Sequence, residues 1–365
     1  MPYRSTDKSM RTLIRPTAFV DSPFGHDGKI ARLTGGLNWF ASVELIRVEG
    51  NKRVSTQLVS VEGIEQRFEA DMPAQWKALT NPRPPLQLGE RTVRLDQPQV
   101  MGIVNVTPDS FSDGGQFADA GEAAAAGARM AAQGAAIIDV GGESTRPGAS
   151  PVWEGDEIER IVPVIRQLAA GGTAVSADTR KGDVMTAALE AGARMINDVS
   201  ALSFDDRSAA VIASAGVPVI LMHHKGAPET MQDDPRYDDV LVEVYVWLEE
   251  RIAAAEEAGI KRNKILIDPG FGFGKNVDHN LELMNGLALF HSLGCPIVVG
   301  ASRKRTIGAL SGEAPVTERL AGSLAFALKA AEQGVQLLRV HDVPETVQAL
   351  RVWRGMRDQA LTPRV

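Results

Sequence analysis

Cysteine is almost absent from this chain, because Cys295 is the single one among its 365 residues. A disulfide within the chain is therefore excluded, and a reducing compartment such as the cytoplasm is expected. Because nothing around Cys295 matches a catalytic nucleophile, we interpret this residue as a small core side chain.

Long apolar runs are missing as well. Residues 1–17 lack the apolar core of a signal peptide, and no stretch approaches the roughly 20 apolar residues that a membrane-spanning helix needs. The formal net charge of −7 gives no excess of positive charge, which nucleic-acid binders usually carry. We therefore expect a cytoplasmic protein that binds neither membranes nor nucleic acid.

Several common catalytic motifs are also absent. No group of His, Cys and Glu has the spacing of a structural zinc site, and no Ser lies in a nucleophile elbow. The segment Gly270–Lys275 looks like a phosphate-binding loop but lacks P-loop spacing and the Ser or Thr. We interpret its glycines as a tight turn beside a ligand. His224 and His291 are interpreted as surface or internally hydrogen-bonded histidines.

A repeated unit is present from residue 99 onward. Each unit contains a short apolar strand, a polar residue, a loop and an amphipathic helix, and the sixth of these helices is predicted over residues 278–293. The predicted strands are Val100–Val106, Ala136–Val140, Ala174–Ala177, Met195–Ile196, Val217–Met222, Lys264–Ile267, Pro296–Val299 and Gln336–Val340. Eight such units over about 265 residues predict a (β/α)8 TIM barrel. The alternative is a doubly wound open sheet, but the glycine-rich turn of that fold is replaced here by residues 105–108.

Residues 1–98 have a different pattern. Their apolar spacing is irregular, with strand-like pieces at Ser42–Val48 and Val54–Val61, and the region ends in the proline cluster Asn81–Pro85. We predict an N-terminal extension that is α+β or strand-rich and has no assigned function. The barrel domain is then predicted at residues 99–365.

Polar side chains follow the predicted strands. They are Asn105, Asp139, Asp178, Asn197, His223, Asp268, Lys304, Arg339 and His341. Because the carboxyl ends of barrel strands converge on one face, these side chains are expected to meet there. Carboxylates and carboxamides suit a flat heterocycle with N–H donors along one edge, and the cations suit a phosphate or diphosphate. Asp139 is the exception, since we interpret it as a brace for the Gly141–Gly142 turn.

Eight motifs together resemble the family of bacterial dihydropteroate synthases. They are MGIVNVTPDSFSDGG (101–115), DVGGESTRPGAS (139–150), ADTR (177–180), INDVS (196–200), LMH (221–223), IDPGFGFGK (267–275), GASRK (300–304) and RVHDV (339–343). The resemblance covers about residues 99–355 and is specific as a set. It implies a transferase of folate biosynthesis that joins 6-hydroxymethyl-7,8-dihydropterin diphosphate to p-aminobenzoate and releases diphosphate. It also implies a magnesium ion, a homodimer and a sulfonamide target.

The resemblance further assigns roles to individual residues. Asn105 would hold Mg²⁺, and Arg339 and His341 would bind the diphosphate. The pterin would contact Asp178, Asn197, Asp268 and Lys304. Met222 and Phe271 would line the two substrate pockets. Phe111 and Ser302 would lie near p-aminobenzoate, and a loop would contribute Thr145, Arg146 and Pro147. Asp109 and Asp178 would stabilise positive charge on the pterin methylene during a largely dissociative displacement.

Two other functions are considered. A methyltetrahydrofolate methyltransferase would share the pterin-binding carboxylate and carboxamide but would not need a diphosphate site. A non-catalytic pterin-binding or scaffold protein would not need Lys304 or the two loops. Arg305 either narrows the p-aminobenzoate pocket or begins a helix, and we favour the helix.

Overall fold

The structure is a computed structural model that describes residues 10–106, 120–144, 151–226 and 230–362. It begins with a four-stranded antiparallel sheet made of β1 (Met10–Val20), β2 (Ala31–Arg32), β3 (Trp39–Glu49) and β4 (Lys52–Ser60). Strand β3 pairs with β1 along one edge and with β2 and β4 along the other. Helix α1 (Met72–Thr80) and the hairpin β5 (Leu86–Leu88) and β6 (Arg91–Val93) follow. The prediction of an α+β, strand-rich extension is confirmed.

The two faces of this sheet are buried against different partners. Ile14 and Val43 lie in one cluster with Met72 and Leu79 of α1. On the other face, Ile46 belongs to the main core cluster of the barrel. The extension is therefore packed onto the barrel by apolar contacts, which provide most of the driving force for such association.

A closed parallel barrel forms the rest of the chain. Its strands are β7 (Gln99–Asn105), β8 (Ile137–Gly141), β9 (Val175–Asp178), β10 (Met195–Asp198), β11 (Val219–Met222), β12 (Ile265–Asp268), β13 (Val298–Val299) and β14 (Leu337–Val340). They form one sheet in the order β12-β11-β10-β9-β8-β7-β14-β13, and a parallel bridge between Ile267 and Ile297 joins its two ends. The predicted (β/α)8 barrel is confirmed, and the open sheet is excluded because both edges are paired.

Helices surround the barrel. They are α2 (Ala120–Ala132), α3 (Glu154–Ala170), α4 (Gly182–Ala191), α5 (Ser208–Ala215), α6 (Val240–Glu257), α7 (Val277–Gly286), α8 (Arg305–Leu310), α9 (Leu320–Glu332) and α10 (Val343–Ala360). One predicted helix, 278–293, is divided, since α7 ends at Gly286 and Leu287–Leu293 form a 3-10 helix. Arg305 begins α8 and is exposed, which confirms our preferred interpretation. Among the described residues, no helix combines the length and apolarity needed to cross a membrane.

The lower end of the barrel, where the strands begin, is closed by the β5–β6 hairpin. Its residues Leu86 and Val93 cluster with side chains that come from all eight strand positions: Met101, Ile137, Ala174, Met195, Ile220, Leu266, Val298 and Leu337. Such a layer makes the interior a packed core rather than a pore. The opposite end, where the strands finish, remains available for polar side chains.

Candidate active site

Asp139 lies at the centre of the polar site. Its Oδ2 accepts hydrogen bonds from Asn197 Nδ2 at 3.0 Å and from Arg339 Nε at 2.6 Å. The side chain is fully buried, and Oδ1 has no hydrogen-bond partner in the described part of the chain. The interpretation of Asp139 as a turn brace is therefore wrong. Asp139 is inside strand β8, where side chains from distant strands contact its carboxylate.

Arg339 connects two carboxylates from neighbouring strands. Besides Asp139, it contacts Asp178, whose Oδ2 lies 2.6 Å from Arg339 Nη2. Burial opposes the guanidinium charge, but Asp139 and Asp178 outweigh that effect and raise the pKa of Arg339. Burial also raises the pKa of Asp178, and Arg339 opposes the rise. This ion pair fixes both side chains at the carboxyl ends of β9 and β14.

Asp268 lies beside this group at the end of β12. Its Oδ1 accepts a hydrogen bond of 2.7 Å from Gly270 N. A Cβ atom placed on Gly300 would lie 3.7 Å from Asp268 Oδ2 and 3.8 Å from Arg339 Cβ. Asp268 and Arg339 thus lie on either side of Gly300. Burial raises the pKa of Asp268, whereas the Lys304 ammonium opposes that rise.

Lys304 lies against the turn that follows β12. Lys304 Nζ donates to Phe271 O and lies 4.4 Å from the centroid of the Phe273 ring. Burial lowers the pKa of Lys304 to about 8, and Asp268 opposes the shift. Phe271 and Met222 are buried, and a Cβ on Gly270 would lie 3.4 Å from Met222 Cγ.

Ser302 and His341 form a pair between β13 and β14. His341 N donates to Ser302 Oγ at 3.3 Å, and His341 Nδ1 lies 3.2 Å from the same oxygen. His341 follows Arg339 by two residues at the end of β14. Arg339 contacts Asp139 and Asp178 in this structure, so its role toward a diphosphate stays a prediction.

Asn105 ends β7 on the same face. It is the register partner of Gly141, and a Cβ on Gly141 would lie 3.3 Å from Asp178 Cβ. The Asn105 side chain makes no hydrogen bond with any described residue. No group of three or more His, Cys, Asp or Glu residues suited to a metal occurs in the described ranges. One carboxamide oxygen fits Mg²⁺ nevertheless, because this ion usually takes one or two protein ligands plus phosphate oxygens and water.

The structure brings together most of the predicted site residues. Together with Asp139, these residues surround the open end of the barrel, and we call the group the cup. Its predicted members are Asn105, Asp178, Asn197, Met222, Asp268, Phe271, Ser302, Lys304, Arg339 and His341. Five further predicted residues, namely Asp109, Phe111, Thr145, Arg146 and Pro147, lie outside the described residues.

A buried charge cluster beside the cup was not predicted. Glu143 accepts hydrogen bonds from Val152 N at 3.0 Å, Arg180 Nε at 3.1 Å and Lys181 Nζ at 3.1 Å. Lys181 Nζ is also 2.5 Å from Glu157 Oε2. Burial favours the neutral form of Glu143, but these donors outweigh it and lower its pKa. The charged residues were visible beside the motifs, but their pairing depends on contacts between distant segments.

The comparison with protein families gives a first level of identification. A family model described as pterin binding enzyme matches residues 101–341, which is more than half of the chain. The carboxylate- and carboxamide-lined cup therefore occurs in a pterin-binding barrel enzyme. The match begins at Met101 and does not include the N-terminal sheet.

Individual relatives give the second level. Dihydropteroate synthase of Escherichia coli K12 is 50% identical over 259 residues, covering 71% of this chain and 91% of the relative. The Neisseria meningitidis serogroup B enzyme is 45% identical, covering 74% and 96%. The solved structure of the Xanthomonas albilineans enzyme with 4-aminobenzoic acid has a TM-score of 0.71 and 50% identity, covering 77% and 100%. The chain belongs to the dihydropteroate synthase family.

Proposed function

We propose that this barrel condenses 6-hydroxymethyl-7,8-dihydropterin diphosphate with p-aminobenzoate to give 7,8-dihydropteroate and diphosphate. The observation that carries the proposal is the cup formed by Asp139, Asp178, Asn197, Asp268 and Arg339. Oxygen acceptors from four strands converge there, and the N–H groups along one edge of a pterin would satisfy them. Relatives solved with 7,8-dihydropteroate and with a sulfonamide drug support the same substrate class.

Pterin binding would use the deep residues of the cup. Asp178, Asn197 and Asp268 would accept hydrogen bonds from ring N–H groups, and Lys304 would donate to the ring carbonyl. Because Asn197 Nδ2 donates to Asp139, its Oδ1 is left to accept a bond from the ligand. Met222 and Phe271 would contact the apolar faces of the substrates, and Ser302 would border p-aminobenzoate.

The chemical step would depend mainly on stabilising the leaving group. The aryl amine is already a nucleophile, so no strong general base is required. Arg339 and His341 would bind the diphosphate as negative charge develops on its oxygen. Asp178 and Asp109 would stabilise the positive charge on the pterin methylene as the C–O bond breaks. Thr145, Arg146, Pro147 and Phe111 would complete the binding of the two substrates.

Magnesium is part of the proposal. Asn105 would hold the ion through its carboxamide oxygen, and the ion would neutralise charge on the diphosphate when bound. The fit rests on the position of Asn105 on the same face as Asp178. It also rests on the Asn105 side chain, which makes no hydrogen bond within the described ranges. His341 and Arg339 remain the protein groups that hold the diphosphate.

We also propose a homodimer in a reducing, cytoplasmic environment. Leu310, Val316 and Leu320 around α8 and α9 are large apolar residues with exposed fractions of 56%, 49% and 36%. Contact between two copies would bury such side chains. The single cysteine is compatible with a reducing compartment. Membrane and nucleic-acid partners are not expected.

The direct test mixes the purified protein with the pterin diphosphate, p-aminobenzoate and Mg²⁺. We expect equal amounts of dihydropteroate and diphosphate, with loss of product on chelation and recovery when Mg²⁺ is added back. Asp268→Ala is the negative control, because it removes a buried acceptor of the cup and should abolish pterin binding in calorimetry. Absence of dihydropteroate with the folded wild-type protein would favour a methyltransferase or a non-catalytic pterin binder.

A further inference from the structure

Lys275 is a buried cation that no role described above includes. Its residue is 2% exposed, and its Nζ lies 2.8 Å from Gly270 O, 3.0 Å from Phe273 O and 2.8 Å from His223 Nδ1. An ammonium has three hydrogens, so the three acceptors use all of its donors. The lysine therefore folds back beneath the Gly270–Gly274 turn that precedes it.

The turn is held by side chains along its whole length. All five consecutive carbonyl oxygens of the turn accept a side-chain hydrogen bond. Lys275 donates to those of residues 270 and 273. Lys304 donates to that of residue 271, Gln232 to that of residue 272 and Tyr237 to that of residue 274. Among the side chains of the described residues, only Lys275 bonds to two of these carbonyl oxygens. It is therefore the side chain that ties the beginning of the turn to its end.

The backbone of the turn cannot hold this shape through regular secondary structure. Gly270, Gly272 and Gly274 have φ values of +71°, +78° and +66°, a region that favours glycine. Asp268 binds the first amide of the turn, and Asn280 Oδ1 accepts from Gly272 N at 2.8 Å. Fixing an irregular backbone costs conformational entropy, so contacts outside the turn must compensate for that cost.

We propose that Lys275 is a positioning residue of this active site, which sets the place of Phe271 and, through the Phe271 carbonyl, of Lys304. The proposal rests on the proposed function, because those two residues are its substrate contacts. Lys275 acts from beneath the turn and reaches neither substrate. Its second support, His223, lies at the end of β11 and joins the turn to the neighbouring strand.

The charge of Lys275 adds a second effect at the same place. Among the described residues, the hydrogen-bond partners of its ammonium are two backbone carbonyls and an imidazole, and none is a carboxylate. Burial lowers the pKa of Lys275 well below its usual value, and the negative charge of Asp268 opposes the shift. When Lys275 carries its ammonium charge, that charge in turn opposes the rise that burial causes in the pKa of Asp268.

The test compares Lys275→Met with Lys275→Gln. Methionine removes all three donors, and we expect kcat to fall about tenfold or more and KM for p-aminobenzoate to rise several-fold. The glutamine amide can donate to both turn carbonyls, so it should restore part of kcat. Hydrogen exchange of the 270–274 amides should accelerate in Lys275→Met and less in Lys275→Gln.

Arg83→Met is the matched control. Arg83 is also a buried cation that donates to a carbonyl, His291 O at 2.8 Å, but it lies in the extension. This variant should lose thermal stability while its kinetic constants stay within twofold of the wild type. Wild-type kinetics in Lys275→Met, or an equal loss of kcat in Arg83→Met, would overturn the inference. Failure of the wild type to make dihydropteroate would contradict the proposed function instead, and the exchange experiment would still test the hold of Lys275 on the turn.

Discussion

At the scale of single residues, the site is a balance of buried charges. Asp139, Asp178 and Asp268 lie close to Arg339 and Lys304. Removing one member of such a set leaves another charge without its partner, which costs more than an exposed pair would. Asp139 is of special interest because its Oδ2 accepts two hydrogen bonds, whereas its buried Oδ1 accepts none from the described residues.

We predict that Asp139→Asn weakens pterin binding at least tenfold, which corresponds to about 1.4 kcal/mol. The amide removes one negative charge from Arg339 and can no longer enforce the orientation of the Asn197 amide. Calorimetry with the pterin diphosphate measures the change. Asp183→Asn is the control, since Asp183 pairs with Arg207 at 2.7 Å on an exposed surface. Unchanged pterin affinity in Asp139→Asn would refute this role.

At the scale of elements, the strand ends position the polar side chains of the site, and the turn after β12 packs closely against the neighbouring strand. Strands β8, β9, β10, β12 and β14 carry polar side chains to one face, and their register fixes how close those side chains come. The turn after β12 approaches the neighbouring strand end so closely that a side chain cannot fit. A Cβ on Gly270 would lie 1.8 Å from His223 O.

Gly270→Ala should therefore destabilise the protein far more than an alanine at another left-handed glycine. Gly172 has φ +73°, and a Cβ at that position would meet no atom within 4 Å, so Gly172→Ala measures the cost of the conformation alone. We expect about 1 kcal/mol of unfolding free energy for Gly172→Ala and several times that for Gly270→Ala. Chemical denaturation compares the two variants, and equal losses would contradict the close approach.

At the scale of the whole molecule, the extension and the barrel share an interior. The 3-10 segment Leu287–Leu293 is buried along its whole length, with β1 and α1 packed against it. His291 lies in this segment, its carbonyl accepts from Arg83, and its Nε2 is 2.9 Å from Gln333 O. Leu33 of the extension also packs directly against Gly334 of the barrel, where a Cβ atom would lie only 2.6 Å from Leu33 Cδ2. Separation of the two parts would expose this histidine.

His291 provides a pH test of that arrangement. Burial lowers the pKa of His291 to about 3, below the usual value of 6.5. Between these values the unfolded chain binds more protons than the folded one, so stability is complete above pH 6.5 and falls as the pH drops toward 3. Relative to His291→Gln, the wild type should lose about 3 kcal/mol between pH 6.5 and pH 4. Identical pH dependence of thermal unfolding in the wild type and His291→Gln would contradict the burial of a neutral His291.

Much of the fold could be predicted because its signals are local. Apolar strands followed by amphipathic helices recur eight times, and the proline cluster at Asn81–Pro85 separates a region of different pattern. The helix at 278–293 was wrong in its second half because the pattern of apolar residues does not distinguish an α-helix from a 3-10 helix packed on all sides. The division of the chain at residue 98 stays a prediction, although the hairpin 86–93 packs into the lower end of the barrel.

The candidate site was predicted where a polar residue ends a strand, as with Asn197 and Asp268. It was missed where the role depends on partners far away in the chain. Asp139 meets Arg339 across 200 residues of sequence, and Lys275 meets His223 across 52. The order of the residues determined the strands, the turns and the face on which polar groups gather. Only the closed barrel decided which charges touch, because hydrogen bonds and ion pairs act over a few ångströms in space regardless of their separation along the chain.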